Sequence, residues 1–376
     1  MKSIPLIKPD LPVLDDVAES FREILENGKI TNFSKYVTKF EEEASDYLNA
    51  HALTVSSGTM GLVFALHSLG LQKGQKVILP SFTFMATAQA VLYAGGIPVF
   101  VDVENDLTLS PSDLADLLEK HDNVGGVIGT HVYGMPCQVE KLQEIVEDFS
   151  RQKSRPIFLL YDAAHAFGSK LGGRPVGSFG NAEVFSLSVT KTLVSVEGGM
   201  IASRDPEVMQ RIRRMRNYGI ESNYDAHWPG MNGKMSEFHA IIGLHNLRRI
   251  DELVALRQGK ARYYFGQIHE RTNFEFLPWP EGVVHTFKDL TVLLPDGKMD
   301  KRDNVMAFLK TQGVETRAYF YPAVHEQKKF HEFADRPLPR TESLSRRVIT
   351  LPFYTTMTED EMDYVVEALR CAQEVW

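Results

Sequence analysis

From Leu53 to Ser203 short apolar runs alternate with longer amphipathic stretches, and this alternation constrains the fold more than any other feature of the chain. The apolar runs are KVILP, IPVFVDV, VGGVIGTHV, IFLLYDAA, EVFSLS and GGMIAS. Between them lie helical patterns such as TMGLVFALHSLG and MATAQAVLYAG, the second closing on two glycines where a helix C-cap belongs. Strands apolar along their whole length are buried on both faces, so the pattern predicts an α/β chain with a mostly parallel sheet covered by helices. Ligands of such sheets bind at the carboxyl ends of the strands.

The texture changes further on. KMSEFHAIIGLHNLRRIDELVALRQGKARYYFGQIHE, from Lys234 to Glu270, predicts one long helix. After it, HTFKDLTVLLP reads as a strand and KRDNVMAFLKTQG as a helix ending on Gly313. TEDEMDYVVEALRCAQEV reads as a terminal helix opening on a Thr-x-x-Glu cap. The division expected is a large domain over residues 1–250, with the N-terminal segment, and a smaller α+β domain over 251–376.

Composition narrows the class. The formal net charge of −8 argues against nucleic acid as a main partner. Two cysteines far apart, Cys137 and Cys371, predict no disulfide scaffold, and the twelve histidines show no metal-ligand spacing. The opening MKSIPLIKPDLP has no apolar stretch of signal-peptide type, and no run approaches the ~18 apolar residues of a membrane span. A cytoplasmic protein without membrane or metal is expected.

Four strand ends carry chemistry-bearing residues. TVSSGTMGL places Ser57, Gly58 and Thr59 at a helix N-terminus, where small residues let a phosphate approach backbone N–H groups. Alone, that stretch reads first as an ordinary helix cap. PSFTFMATA offers Phe84 as a flat face for an aromatic ligand, although a single Phe more often belongs to a core. FLLYDAAHAFG puts Asp162 at the end of a buried strand, where a carboxylate needs a partner, with His165 three residues on. FSLSVTKTLVSVEGGM sets Ser186 five residues before an isolated lysine, Lys191. A desolvated lysine becomes a nucleophilic amine. A phosphate cradle, a stacking aromatic, a buried aspartate and such a lysine together meet the needs of pyridoxal phosphate.

Those stretches, with GKITNFSKYVTKFEEEASDYL, GMNGKMSEFHAIIGLHNL and LPFYTTMTEDEMDYVVEAL, resemble the DegT/DnrJ/EryC1/StrS family of sugar aminotransferases nearly end to end. The resemblance implies fold type I of the pyridoxal-phosphate-dependent transferases, with a mostly parallel seven-stranded sheet, and a homodimer with shared active sites. It implies Lys191 as the lysine that holds the cofactor covalently and Asp162 as partner of the pyridine nitrogen. His165 would lie near the phenolic oxygen, Phe84 against the ring, and Gly58, Thr59 and Ser186 on the phosphate. Asn232 would reach the neighbouring subunit's phosphate, although from sequence alone it reads as a turn residue before the helix.

The substrates implied are L-glutamate as amino donor and a nucleotide-linked keto sugar, with pyridoxamine phosphate as the alternate cofactor form. Lys29, Lys234, Arg317, Tyr321 and His325 are the candidates for holding them. The alternatives are a non-nucleotide keto sugar or aminocyclitol precursor as substrate, and a non-catalytic regulator on the same fold. The chain departs from the family pattern at Ser188, where many relatives carry histidine, at Val196, where many carry glycine, and at Lys234, where arginine is usual.

Overall fold

The computed structural model describes residues 2–376. Its strands are β1 (His51–Val55), β2 (Lys76–Pro80), β3 (Ile97–Val101), β4 (Val124–Thr130), β5 (Phe158–Asp162), β6 (Lys170–Leu171), β7 (Arg174–Pro175), β8 (Ala182–Ser186), β9 (Gly199–Ser203), β10 (Ile220–Ser222), β11 (Asp225–Ala226), β12 (Glu275–Phe276), β13 (Val283–Val284), β14 (Leu290–Leu293) and β15 (Val348–Leu351). Seven of them form one sheet in the order β1-β9-β8-β5-β4-β2-β3. Only β9 runs against its neighbours; the β2–β3, β2–β4, β4–β5 and β5–β8 pairs are parallel. The strands are apolar throughout because both faces are covered. Val77, Ile78 and Leu79 of β2 are all fully buried, alternately in two cores on opposite sides of the sheet. Each such side chain contributes roughly 1.5–3 kcal/mol of burial.

Local signals set the helix starts that face the carboxyl ends of the strands. Ser57 caps the helix Gly58–Ser68 by accepting the Met60 N–H at 3.2 Å, so the cap expected from sequence is present. The helix Lys35–Leu48 takes its cap from far away. The buried carboxylate of Glu237 accepts the N–H groups of Ser34, Tyr36 and Val37 at 2.8, 2.7 and 3.1 Å. That contact ties the segment before residue 35 to the loop that carries Asn232.

A second, three-stranded antiparallel sheet, β12-β14-β15, packs with Tyr264, Val305 and Val365 in a separate core. The terminal helix Glu359–Ala372 opens on the reciprocal Thr358–Glu361 cap. The long helix expected from Lys234 is two, Glu237–Leu247 and Ile250–Arg271, broken at Arg248–Arg249. The second of these begins in the large core at Ile250 and Val254 and continues into the C-terminal core at Ala261 and Tyr264. Of the N-terminal segment, Val17 and Ile24 belong to the large core, while residues 4–6 lie against the C-terminal part. Ile4 bridges Val314 and is part of the C-terminal core, and the Phe353 N–H donates to Leu6 O.

Candidate active site

The four strand ends converge. A cavity of about 350 Å³ is lined by Ser57, Gly58, Thr59, Phe84, Asp162, His165, Ser186 and Lys191, eight of the residues singled out from sequence. Ser188, Thr190, Glu197, Lys288, Tyr319 and Phe320 complete much of its wall.

Asp162 ends β5, opposite Thr130 of β4 and Val184 of β8, and is 5% exposed. Burial raises the pKa of its carboxyl, opposed by hydrogen bonds to the charged form. Thr87 Oγ1 donates to Oδ2 at 2.7 Å and the Ala164 N–H donates to Oδ1 at 3.1 Å. Behind Thr87 stand two more buried hydroxyls, Thr83 at 2.8 Å and then Thr130. The two donors favour a carboxylate aimed into the cavity over a neutral acid.

Lys191 lies in the loop after β8, whose shape is set by backbone bonds. The Lys191 N–H donates to Ser188 O at 2.9 Å and the Ser195 N–H to Leu187 O at 2.8 Å. The side chain is therefore free for the cavity. Burial, then the charge of Lys288, lowers its pKa from 10.5 to about 7, against the opposing pull of Asp289, Asp162 and Glu197. Near neutral pH the amine is therefore partly deprotonated.

His165 accepts the Tyr133 N–H through Nδ1 at 3.1 Å, which leaves its remaining proton on Nε2. Burial, helped by Lys191 and Lys288, holds its pKa well below the ordinary value, so the ring is a neutral donor. Phe320 stacks beside it, with ring centroids 6.0 Å apart and planes at 22°. Phe84 is 51% exposed, a large apolar ring open to the cavity rather than the core residue that a lone Phe suggests.

The phosphate cradle depends on missing side chains. A Cβ on Gly58 would stand 3.0 Å from Ser186 Cβ, so only glycine lets the helix start sit against the end of β8. A Cβ on Gly199 would stand 2.5–2.6 Å from the backbone of Ser57 and Gly58, which cannot move aside. Gly199→Ala is therefore expected to destabilise the fold by about 1–3 kcal/mol, read as a lower denaturation midpoint. An unchanged midpoint would remove the close approach as the reason for glycine there.

The remaining candidates lie elsewhere in the single chain. Asn232 is exposed, its backbone bridged to Asn217. Lys234 donates to Asn32 Oδ1 at 2.7 Å, and Lys29 is exposed on the same edge. Arg317 pairs with Glu315 at 2.7 Å, and Tyr321 is covered by the Arg302 guanidinium at 3.8 Å. His325 is buried against Ser81 Oγ at 2.6 Å, where it anchors its segment to the end of β2. None of these six lines the cavity, because pairing or packing already occupies them or because they face outward. Conversely, Thr87, Lys288, Tyr319 and Phe320 were not anticipated. Lys288 had a signal, a charged Lys-Asp pair inside the apolar strand pattern HTFKDLTVLLP. Cys137 is buried, its thiol pushed up by burial, and carries no nucleophile role. Among the described residues no His, Cys, Asp or Glu cluster could hold a metal ion, and no helix is long and apolar enough to cross a membrane.

The model of the DegT/DnrJ/EryC1/StrS aminotransferase family matches residues 14–370. Among characterised relatives, a GDP-perosamine synthase of Escherichia coli O157:H7 is 30% identical, with 98% of each chain covered. A dTDP-4-amino-4,6-dideoxy-D-glucose transaminase of Escherichia coli is 29% identical over 96% of each. Among solved structures, DesI with its TDP-sugar product superposes with a TM-score of 0.90 at 30% identity, covering 99% of this chain and 93% of that one.

Proposed function

Because the chain belongs to the DegT/DnrJ/EryC1/StrS aminotransferase family, we propose that it moves an amino group from L-glutamate to a keto sugar carried on a nucleoside diphosphate. It is a pyridoxal-phosphate-dependent sugar aminotransferase by that membership; donor, sugar carrier and residue roles are the added reading. The observation that carries it is Lys191, a buried amine with a pKa near 7, sharing one cavity with the hydrogen-bonded carboxylate of Asp162.

The residues suit the cofactor. The helix start at Gly58–Thr59 offers N–H groups and the positive end of a helix dipole to a phosphate, with the Ser186 hydroxyl beside it. Phe84 offers a half-exposed ring for stacking. Pyridoxal phosphate, when bound, supplies an aldehyde for the lysine and a ring that takes up the electron pair left on a deprotonated carbon. Asp162 would hold the proton on the ring nitrogen. His165, protonated at Nε2, would donate to the ring's phenolic oxygen. Lys191 would be the base that takes the proton from the α-carbon of the donor. In the second half-reaction the same amine would give a proton to the sugar carbon that receives nitrogen. Asn232, exposed next to Gly233, whose carbonyl accepts the Ser56 N–H just after β1, serves the phosphate of a second subunit in a homodimer. Lys29 and Lys234 share that edge and suit a sugar-linked diphosphate there.

The test is the visible absorbance of the purified holoprotein. L-Glutamate is expected to remove the band, and keto sugars on GDP or dTDP to restore it. Bleaching by another amino acid alone would replace the donor. Restoration by a free keto sugar without nucleotide would replace the carrier.

A further inference from the structure

We propose that Lys288 receives a carboxylate of the amino donor, with Asp289 as the residue that positions it. The assignment rests on the aminotransferase reading and deepens it.

Lys288 stands just before β14, on the C-terminal side of the cavity, with its backbone N–H held by Tyr133 O at 2.9 Å. Its side chain is 4% exposed, yet lines the same space as Lys191. Of its three N–H donors, one goes to Asp289 Oδ1 at 2.8 Å, and the Tyr319 ring lies 5.4 Å away. The ammonium therefore has donor capacity left over. Asp289 is also buried, and its Oδ2 has no partner among the described residues. That side of Asp289 faces a separate cavity of about 30 Å³ beside Tyr133 and His285, enough for a water.

A buried ion pair is a poor source of stability, since an apolar pair of the same volume often does as well. One that retains unused donors at a cavity wall has a better explanation in binding. The remaining charges explain which ligand. Asp162 and Glu197 are the carboxylates of the wall, and both repel a second anion. Lys191 is committed to the cofactor, which leaves Lys288 as the other lysine of the wall. Its charge acts on both Lys191 and His165, so the ammonium lies on the side where the donor's amine is handled. An amino acid donor must bring a carboxylate to that place. A keto sugar brings none.

That asymmetry gives the test. Holoenzyme with Lys288→Met is titrated with L-glutamate and, after conversion to its pyridoxamine form, with the keto sugar, following cofactor absorbance. The half-saturating L-glutamate is expected to rise about 10- to 100-fold, the effect of losing one charge-assisted hydrogen bond. The half-saturating keto sugar should stay within a factor of about two, and Lys288→Arg should recover most of the loss. Unchanged L-glutamate saturation in Lys288→Met overturns the assignment. So does an equal rise for both substrates, which marks a structural role. If the methionine variant does not retain cofactor, Lys288→Gln, uncharged but still a donor, decides on the same criteria. A wild-type protein whose band responds to no amino acid removes the aminotransferase reading itself, and this assignment with it.

Discussion

Lys191→Ala is expected to lose at least about 10³-fold in turnover, the scale of an essential proton-transfer group, while folding as well as the wild type or better. The loop around it is held by backbone bonds, so removing the side chain takes away no structural contact. What it removes is a buried ammonium. The sign of the stability effect follows from the pKa near 7. Between about pH 7 and the unfolded value of 10.5 the unfolded chain holds a proton that the native chain has released. Wild-type apoprotein therefore gains stability as pH rises through that window, and below it bears the full penalty of burying the charge. The alanine variant lacks this dependence. Its melting temperature should exceed that of the wild-type apoprotein most at pH 6, and the gap should close towards pH 10. The same titration governs loading, so covalent attachment of cofactor to wild-type apoprotein should accelerate as pH rises, with a midpoint near 7. A pH-independent loading rate, or an alanine variant that turns over normally, would show that Lys191 is only a lysine at the end of a strand.

Much of this site was readable because its parts are local. Ser57, Asp162 and Ser186 each follow an apolar run directly, so strand periodicity alone put them at the same edge of a parallel sheet. Family resemblance then assigned Lys191, His165 and Phe84, and the cavity contains all three. The residues that were missed come from contacts across long sequence separations. Thr87 supports Asp162 from 75 residues away and Tyr133 supports His165 from 32. Lys288 and Phe320 enter from the C-terminal part of the chain, and no period in the sequence says which of its residues turn towards the large sheet. The break at Arg248–Arg249 was hidden for a similar reason. Its residues are good helix formers, and tertiary packing of the two flanking segments overrides propensity there. His325 and Arg317, named from their motif, lie outside the cavity of the single chain, where Ser81 and Glu315 engage them.

Asp162→Ala is the second large effect expected, a fall in turnover of about 10²–10³-fold, as for the loss of one preorganised charge. The carboxyl is buried, which raises its pKa, while the hydrogen bonds from Thr87 and the Ala164 N–H favour its charged form. That arrangement is useful only if a positive charge arrives opposite, and the protonated ring nitrogen of the cofactor is such a charge. Alanine also strands the Ala164 N–H, which costs about 1–3 kcal/mol of stability, while Thr87 Oγ1 keeps Phe84 O as an acceptor. Asp162→Asn separates the two effects. Its amide oxygen still accepts a hydrogen bond and its volume is unchanged, but it carries no charge. The asparagine variant should melt closer to the wild type than alanine does, and lose nearly as much turnover. Both variants should retain some cofactor through Lys191 and the phosphate cradle, so the visible band survives while the response to L-glutamate slows. If Asp162→Asn turned over like the wild type, the charge would be idle, and Asp162 would be a structural residue whose work is to receive Thr87.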